Sequence, residues 1–179
     1  MGAIINKVIP STLFAQTDYR CSMNIKLLAI GKTDNMALQS LIEDYSKRLA
    51  FYVKFDLEII PDIKNAKNFS ESQQKEKEGE LLMAKVTTSD QLILLDENGK
   101  SFTSIAFSDE LQKKMNAGIR TLVFAIGGPY GFSDAVYKRA DGKISLSSMT
   151  FSHQMVRLFF IEQLYRGFTI LKNEPYHHR

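Results

Sequence analysis

The chain has 179 residues, 23 basic against 20 acidic side chains and a net charge of +3. That length favours one domain, and 44% hydrophobic residues are enough for a core. The slight positive balance is compatible with an RNA partner and equally with an ordinary enzyme. A single cysteine, Cys21, excludes an internal disulfide and fits the reducing cytoplasm. No apolar run approaches the ~20 residues needed to cross a bilayer.

Residues 1–22 carry Pro10, scattered polar side chains and no period. They lack a basic start followed by an unbroken apolar stretch, so they make a poor signal peptide. They are expected to be an N-terminal extension or a mis-assigned start, loosely ordered and functionally silent. Met23 then opens a single folded unit, 23–179.

Asn24 to Ile30 reads as a strand stopped by Gly31. Leu38, Leu41, Ile42, Tyr45 and Leu49 recur at helical spacing over Met36 to Leu49. Lys54 to Ile60 reads as a strand closed by Pro61, and Asp62 to Phe69 as a loop. Ser70 and Gln73 form a capping box for a helix reaching about Val86. The charged half of that helix, Glu71 to Glu80, reads as a solvated face; an RNA contact through Lys75 and Lys77 is the lesser reading.

Gln91 to Leu95 is apolar after its first residue and reads as a central strand, ended by Asp96-Glu97-Asn98-Gly99. Phe107 to Met115 is helical, with Gly118 as its stop. Thr121 to Ile126 is a strand, Ser133 to Ala140 a short helix with Ser133 as N-cap, and Lys143 to Leu146 a short strand. A last helix spans about Ser152 to Thr169, followed by a tail ending Tyr176-His177-His178-Arg179. The alternation of strands and helices predicts an α/β fold with a mostly parallel sheet and helices on both faces.

Two strand-to-loop junctions carry the chemistry. Gly127-Gly128-Pro129-Tyr130-Gly131 follows the strand ending at Ile126, and Ser147 to Phe151 follows the strand ending at Leu146. Loops at the carboxyl ends of parallel strands are where open α/β sheets bind ligands. The glycine loop lacks the Gly-Lys-Ser/Thr ending of a phosphate-binding loop and the spacing of a dinucleotide fingerprint. Taken alone, it also fits a plain tight turn.

All three histidines, His153, His177 and His178, fall late in the chain, with no cysteine or carboxylate at metal-ligand spacing, so no metal is expected. No serine sits in a nucleophile elbow, which disfavours covalent catalysis. Glu162 and Arg166 lie four apart on the last helix and can pair. That pair fits a surface ion pair of little worth. It fits equally an arginine held by a carboxylate and aimed at phosphate or a base.

The segments Ile126 to Gly131, Leu146 to Arg157, Ile161 to Arg166 and Pro175-Tyr176-His177 closely resemble one bacterial family. It is the SPOUT-superfamily RNA methyltransferase family that methylates N3 of a pseudouridine in helix 69 of 23S rRNA. The resemblance covers Met23 to Arg179. It implies a C-terminal trefoil knot, a homodimer, and S-adenosylmethionine bound by the knot loops. The family's cofactor positions fall on Leu95, Gly127, Leu146, Ser147, Ser148, Met149, Thr150 and Phe151.

The resemblance also implies that Tyr176 and His177 position or deprotonate the target base, with His153 beside the cofactor loop. Arg166, like Arg157, would act on RNA or on a dimer-shared site. The family commonly has a basic residue after Tyr-His where this chain has His178. The modest charge fits a substrate presented by the assembled 70S ribosome, whose shape would supply the docking surface. Two other readings are a non-catalytic ribosome- or RNA-binding protein with the knot fold, separated by cofactor binding, and an unknotted nucleotide-binding α/β enzyme.

Overall fold

The computed structural model describes residues 21–63 and 66–177. Residues 1–20, most of the expected extension, lie outside that description, as do His178 and Arg179. In chain order the elements are β1 (Cys21–Ile30), α1 (Met36–Leu49), β2 (Val53–Ile60), a short 3-10 turn (Ala66–Asn68), α2 (Glu71–Met83), β3 (Gln91–Ser101), α3 (Ser104–Asn116), β4 (Thr121–Ile126), α4 (Asp134–Arg139), β5 (Gly142–Ser145) and α5 (His153–Leu171).

The five strands form one sheet of order β2-β1-β4-β3-β5. Every pairing is parallel. The period-2 alternation of the strands sorts the core into two halves. Ile25, Leu27, Ala29, Leu122, Phe124, Ile126 and Ile93 face one way, against Ile42, Leu49, Phe107, Leu111, Phe160, Ile161, Leu164 and Phe168. That is the layer of α1, α3 and α5. Leu28, Ile30, Val123, Ala125, Leu92 and Leu94 face the other way, against Leu82 of α2 and Val136 of α4. Both faces of the central strands are therefore buried, which is why β4 reads as an unbroken apolar run.

Besides shifts at the end of α2 (Met83 for the expected Val86) and of β5 (Gly142–Ser145 for Lys143–Leu146), three boundaries differ from the sequence reading. β1 begins at Cys21, pairing there with Val53, inside the stretch expected as extension. α3 begins at Ser104, because Thr103 caps it through Oγ1 accepting from the Ala106 amide at 3.2 Å. β3 runs through Asp96-Gly99 instead of ending there, and Lys100 and Ser101 pair with Ile144 and Ser145 of β5.

The start of α2 matches the expected box. Ser70 Oγ accepts from the Gln73 amide at 3.2 Å, and Gln73 Oε1 accepts from the Ser70 amide at 3.0 Å. Ser70→Ala should cost about 1 kcal/mol by leaving an N-terminal amide without its acceptor, measured by urea unfolding. The expected N-cap of α4 differs: Ser133 makes no capping bond, and its Oγ is buried without a partner.

α5 ends in a defined reversal. Asn173 takes φ 55, its amide donates to Ile170 O at 3.0 Å, and the Glu174 amide donates to Thr169 O at 2.9 Å. This is a Schellman stop with asparagine in the left-handed position, where its short polar side chain is tolerated. It turns the tail back along α5.

Candidate active site

The carboxyl ends of β3, β4 and β5 open into one cavity of about 520 Å³. Its walls come mainly from three places: Leu95 to Asn98 within β3, Ile126 to Phe132 at the end of β4, and the end of β5 and its loop with His153 and Val156 of α5, while Glu71 and Lys75 of α2 and Tyr137 of α4 add to them. The glycine loop closes as a turn in which the Gly131 amide donates to Gly128 O at 3.1 Å. Proline at the second position and glycine at the fourth suit such a turn. Gly131 takes φ +81, and a Cβ at Gly127 would lie 3.2 Å from the Gly131 backbone. Bare backbone therefore lines this wall.

The β5 loop is held by its own hydroxyls. Ser145 Oγ donates to Ser147 O at 2.9 Å, and Ser147 Oγ accepts from the Met149 amide at 2.9 Å. Ser152 Oγ caps α5 by accepting from the Met155 amide. Phe151 packs on Phe159, ring centroids 4.9 Å apart.

Of the eight expected cofactor positions, Leu95, Gly127, Leu146, Ser147, Met149, Thr150 and Phe151 line this cavity. Ser148 is exposed on the same loop and is not part of the wall. His153 lines it too. His153 is exposed on one side, and partial desolvation against the cavity wall, then the nearby Arg157 charge, lower its pKa. Its NMR titration midpoint should fall below the ordinary ~6.5 of imidazole. In that case the unfolded chain binds the proton more readily. The stability this ring contributes is present above its unfolded pKa and lost as pH falls through the folded one.

Sequence reasoning missed several wall residues. Asp96 follows Leu95 into the cavity, its Oδ2 accepting from Tyr137 Oη at 2.5 Å and its Oδ1 from the Asn98 amide at 2.8 Å. Burial, with that carboxylate, pushes the Tyr137 phenol up to about 12. Lys75 lines the rim, while Lys77 lies over the Phe69 ring at 4.0 Å. The only signal was adjacency to Leu95, since charged residues after a strand read as a turn.

The expected catalytic tail assembles elsewhere. Glu162 Oε1 accepts from Arg166 Nη2 at 2.6 Å, from Arg166 Nε at 3.0 Å and from Tyr176 Oη at 3.0 Å. The Arg166 guanidinium lies 4.8 Å from the Tyr176 ring centroid. The Tyr45 and Tyr176 hydroxyls share a hydrogen bond of 3.2 Å, and Tyr52 Oη donates to Glu174 Oε2 at 2.5 Å. Burial, with the Tyr45 and Glu162 hydrogen bonds, pushes the Tyr176 phenol well above its ordinary range. His177 has its Nδ1 buried without a partner. His153 and Arg166 are thirteen residues apart on α5, about 20 Å along the axis at 1.5 Å per residue. Within one chain the two halves of the expected site are thus separate.

Arg157 corrects the sequence reading. It is 1% exposed. Nη2 donates to Ile30 O and Nη1 to Thr33 Oγ1, both at 2.7 Å. It fastens α5 to the end of β1, where Gln154 Oε1 also accepts from the Asp34 amide at 3.2 Å, and is not available to RNA in this chain. Among the described residues, no three histidine, cysteine or acidic side chains gather to hold a metal, and no helix is long and apolar enough to cross a membrane.

A family model described as "Predicted SPOUT methyltransferase" matches residues 23–177. The chain belongs to the SPOUT methyltransferase family. Relatives from Flavobacterium psychrophilum and Flavobacterium johnsoniae are 80% and 78% identical over 157 residues, covering 88% of this chain and all of each relative. A relative from Christiangramia forsetii is 67% identical over the same length and share. All three are named ribosomal RNA large subunit methyltransferase H. Bare glycine backbone with apolar walls suits a nucleoside-bearing ligand.

Proposed function

We propose that this chain transfers the methyl group of S-adenosylmethionine to N3 of a pseudouridine in helix 69 of 23S rRNA, on the assembled 70S ribosome in the cytoplasm. The observation that carries the reading is the cavity at the ends of β3, β4 and β5. Seven of the positions that hold the donor in the resembled family converge on it. The names of the relatives support large-subunit rRNA as the substrate.

The residues present fit the donor. Leu95, Ile126, Leu146 and Phe151 offer apolar walls, and Gly127 lets the backbone come close. The bound donor would supply an activated methyl group on a sulfonium. The chain's own task is to hold the target base in line, which can supply a large part of the rate. N3 must also lose its proton. The Tyr176 phenol is held protonated and donates to Glu162, so its role is to position, with Arg166 neutralising the carboxylate beside it.

The separation of cavity and tail within one chain favours a homodimer in which the tail of one subunit covers the cavity of the other. A knotted C-terminal region would set the cavity loops, as in the resembled family.

The test is to incubate the protein and labelled S-adenosylmethionine with ribosomes lacking the helix 69 methyl group, then map the label. Label on N3 of that pseudouridine is expected. Donor binding without label there would move the target to another RNA. No donor binding at all would favour the non-catalytic RNA-binding reading.

A further inference from the structure

Glu78 lies behind the glycine loop, in the helix half expected to be solvated, yet it is 3% exposed. Its Oε1 accepts from Gln74 Nε2 at 2.8 Å, whereas its Oε2 is buried with no partner. That orphan oxygen presses on Gly128: a Cβ built there would sit 2.1 Å from it. The next residue, Gly79, lies so close to the orphaned Ser133 hydroxyl that a Cβ would meet it at 2.4 Å. A buried carboxyl with an unsatisfied oxygen is costly and rare. Burial first, and then the like charge of Asp62, push its pKa up against the bond from Gln74. Among the described residues, no cation pairs with it.

The other side of Gly128 is the cavity wall. That wall carries the carboxylates Glu71, Asp96 and Glu97 against the one ammonium of Lys75. A field of this sign favours a positive ligand.

We propose that Glu78 is a specificity-determining residue that acts through the Gly127–Gly131 loop. Ionised when a cation stands against the loop, it is the counter-charge that makes the cavity prefer a cationic methyl donor over the neutral product left after transfer. Gly128 is bare because the carboxyl must stand directly against the loop. The inference rests on the donor reading of the cavity given above. S-adenosylmethionine carries a sulfonium and an ammonium against one carboxylate. S-adenosylhomocysteine has lost the methyl and is a neutral thioether at sulfur, with every other group kept. The two ligands differ only in the methyl group and the charge it brings, so the change in their affinity ratio between Glu78 variants reads the charge.

The experiment is calorimetric titration of both ligands into the purified full chain as wild type, Glu78→Gln, Glu78→Met and Glu78→Asp, with thermal melts as a folding control. Glu78→Gln should weaken S-adenosylmethionine about tenfold and S-adenosylhomocysteine less than about twofold. Glu78→Met removes the orphan oxygen altogether and should give the same fall in the ratio. It also serves should the glutamine variant not fold. Glu78→Asp keeps the charge and should hold the ratio near wild type even where both affinities drop. A ratio unchanged in the neutral variants, whether both ligands weaken together or neither does, overturns the inference and leaves only a packing role. A wild type that binds neither ligand overturns the donor reading, and this inference with it.

Discussion

Gly99→Ala should unfold or open the β3–β5 edge, costing about 3 kcal/mol or more and removing methyl-donor binding with it. A Cβ at Gly99 would meet Ile144 C at 2.5 Å, Ile144 N at 2.6 Å and Ser145 N at 2.7 Å. All three are backbone atoms, so no rotamer change relieves the clash, and β5 itself must move. β5 pairs with β3 on both sides of this point, at Leu95↔Ile144 and at Lys100↔Ile144 with Ser101↔Ser145. Leu95, Ile144, Ser145 and Leu146 all line the cavity, so a displaced β5 deforms it. Gly118→Ala is the control. Gly118 has φ +72 but open space around it, so it should cost only the left-handed penalty of about 1–2 kcal/mol and leave donor binding intact. Urea unfolding with calorimetry of the donor separates the two variants. A Gly99→Ala protein as stable as wild type would mean that the two strands can part freely there.

The same glycine shows where sequence reading stops. Gln91 to Leu95 is legible as a strand because its apolar run must be buried on both faces. Asp96-Glu97-Asn98-Gly99 carries no strand signal. β3 continues past it because Lys100 and Ser101 pair with β5, distant in sequence, while Asp96 to Gly99 bulge out of the ladder between the two pairings to Ile144, and tertiary context overrides local propensity. The bounds of α1 and β4 were legible from apolar period and apolar run and the start of α2 from its capping box, whereas α2 ends at Met83, short of the expected Val86.

Glu78 was read as part of a solvated face and Arg157 as an arginine for RNA or a dimer-shared site. Only three-dimensional packing shows that one lies behind the glycine loop and the other reaches the end of β1. The cavity was legible because strand-end loops are short and local. The Tyr176 cluster was legible only as residues. Its geometry depends on the reversal at Asn173, and nothing in Tyr-His itself says where the tail folds back.

The separation of cavity and tail sets the last expectation. Arg166→Ala should leave donor binding intact, because Arg166 stands about 20 Å along α5 from His153, yet on the proposed reading methyl transfer should fall at least about a hundredfold as Glu162 and Tyr176 lose the cation that holds them. Gly127→Val should do the reverse. Its side chain would fill the turn where a Cβ already lies 3.2 Å from Gly131, abolishing donor binding while Glu162, Arg166 and Tyr176 keep their contacts. Alone, each variant is inactive.

Co-expressed in equal amounts and free to pair, half of the dimers carry one of each subunit. Each such mixed dimer holds one composite site that is wild type in both halves, so about a quarter of wild-type activity should return under two-fold pairing. A tail serving the cavity of its own chain predicts no recovery at any mixing ratio. The recovered fraction therefore reads out whether α5, which keeps the two half-sites apart in one chain, brings them together across the interface.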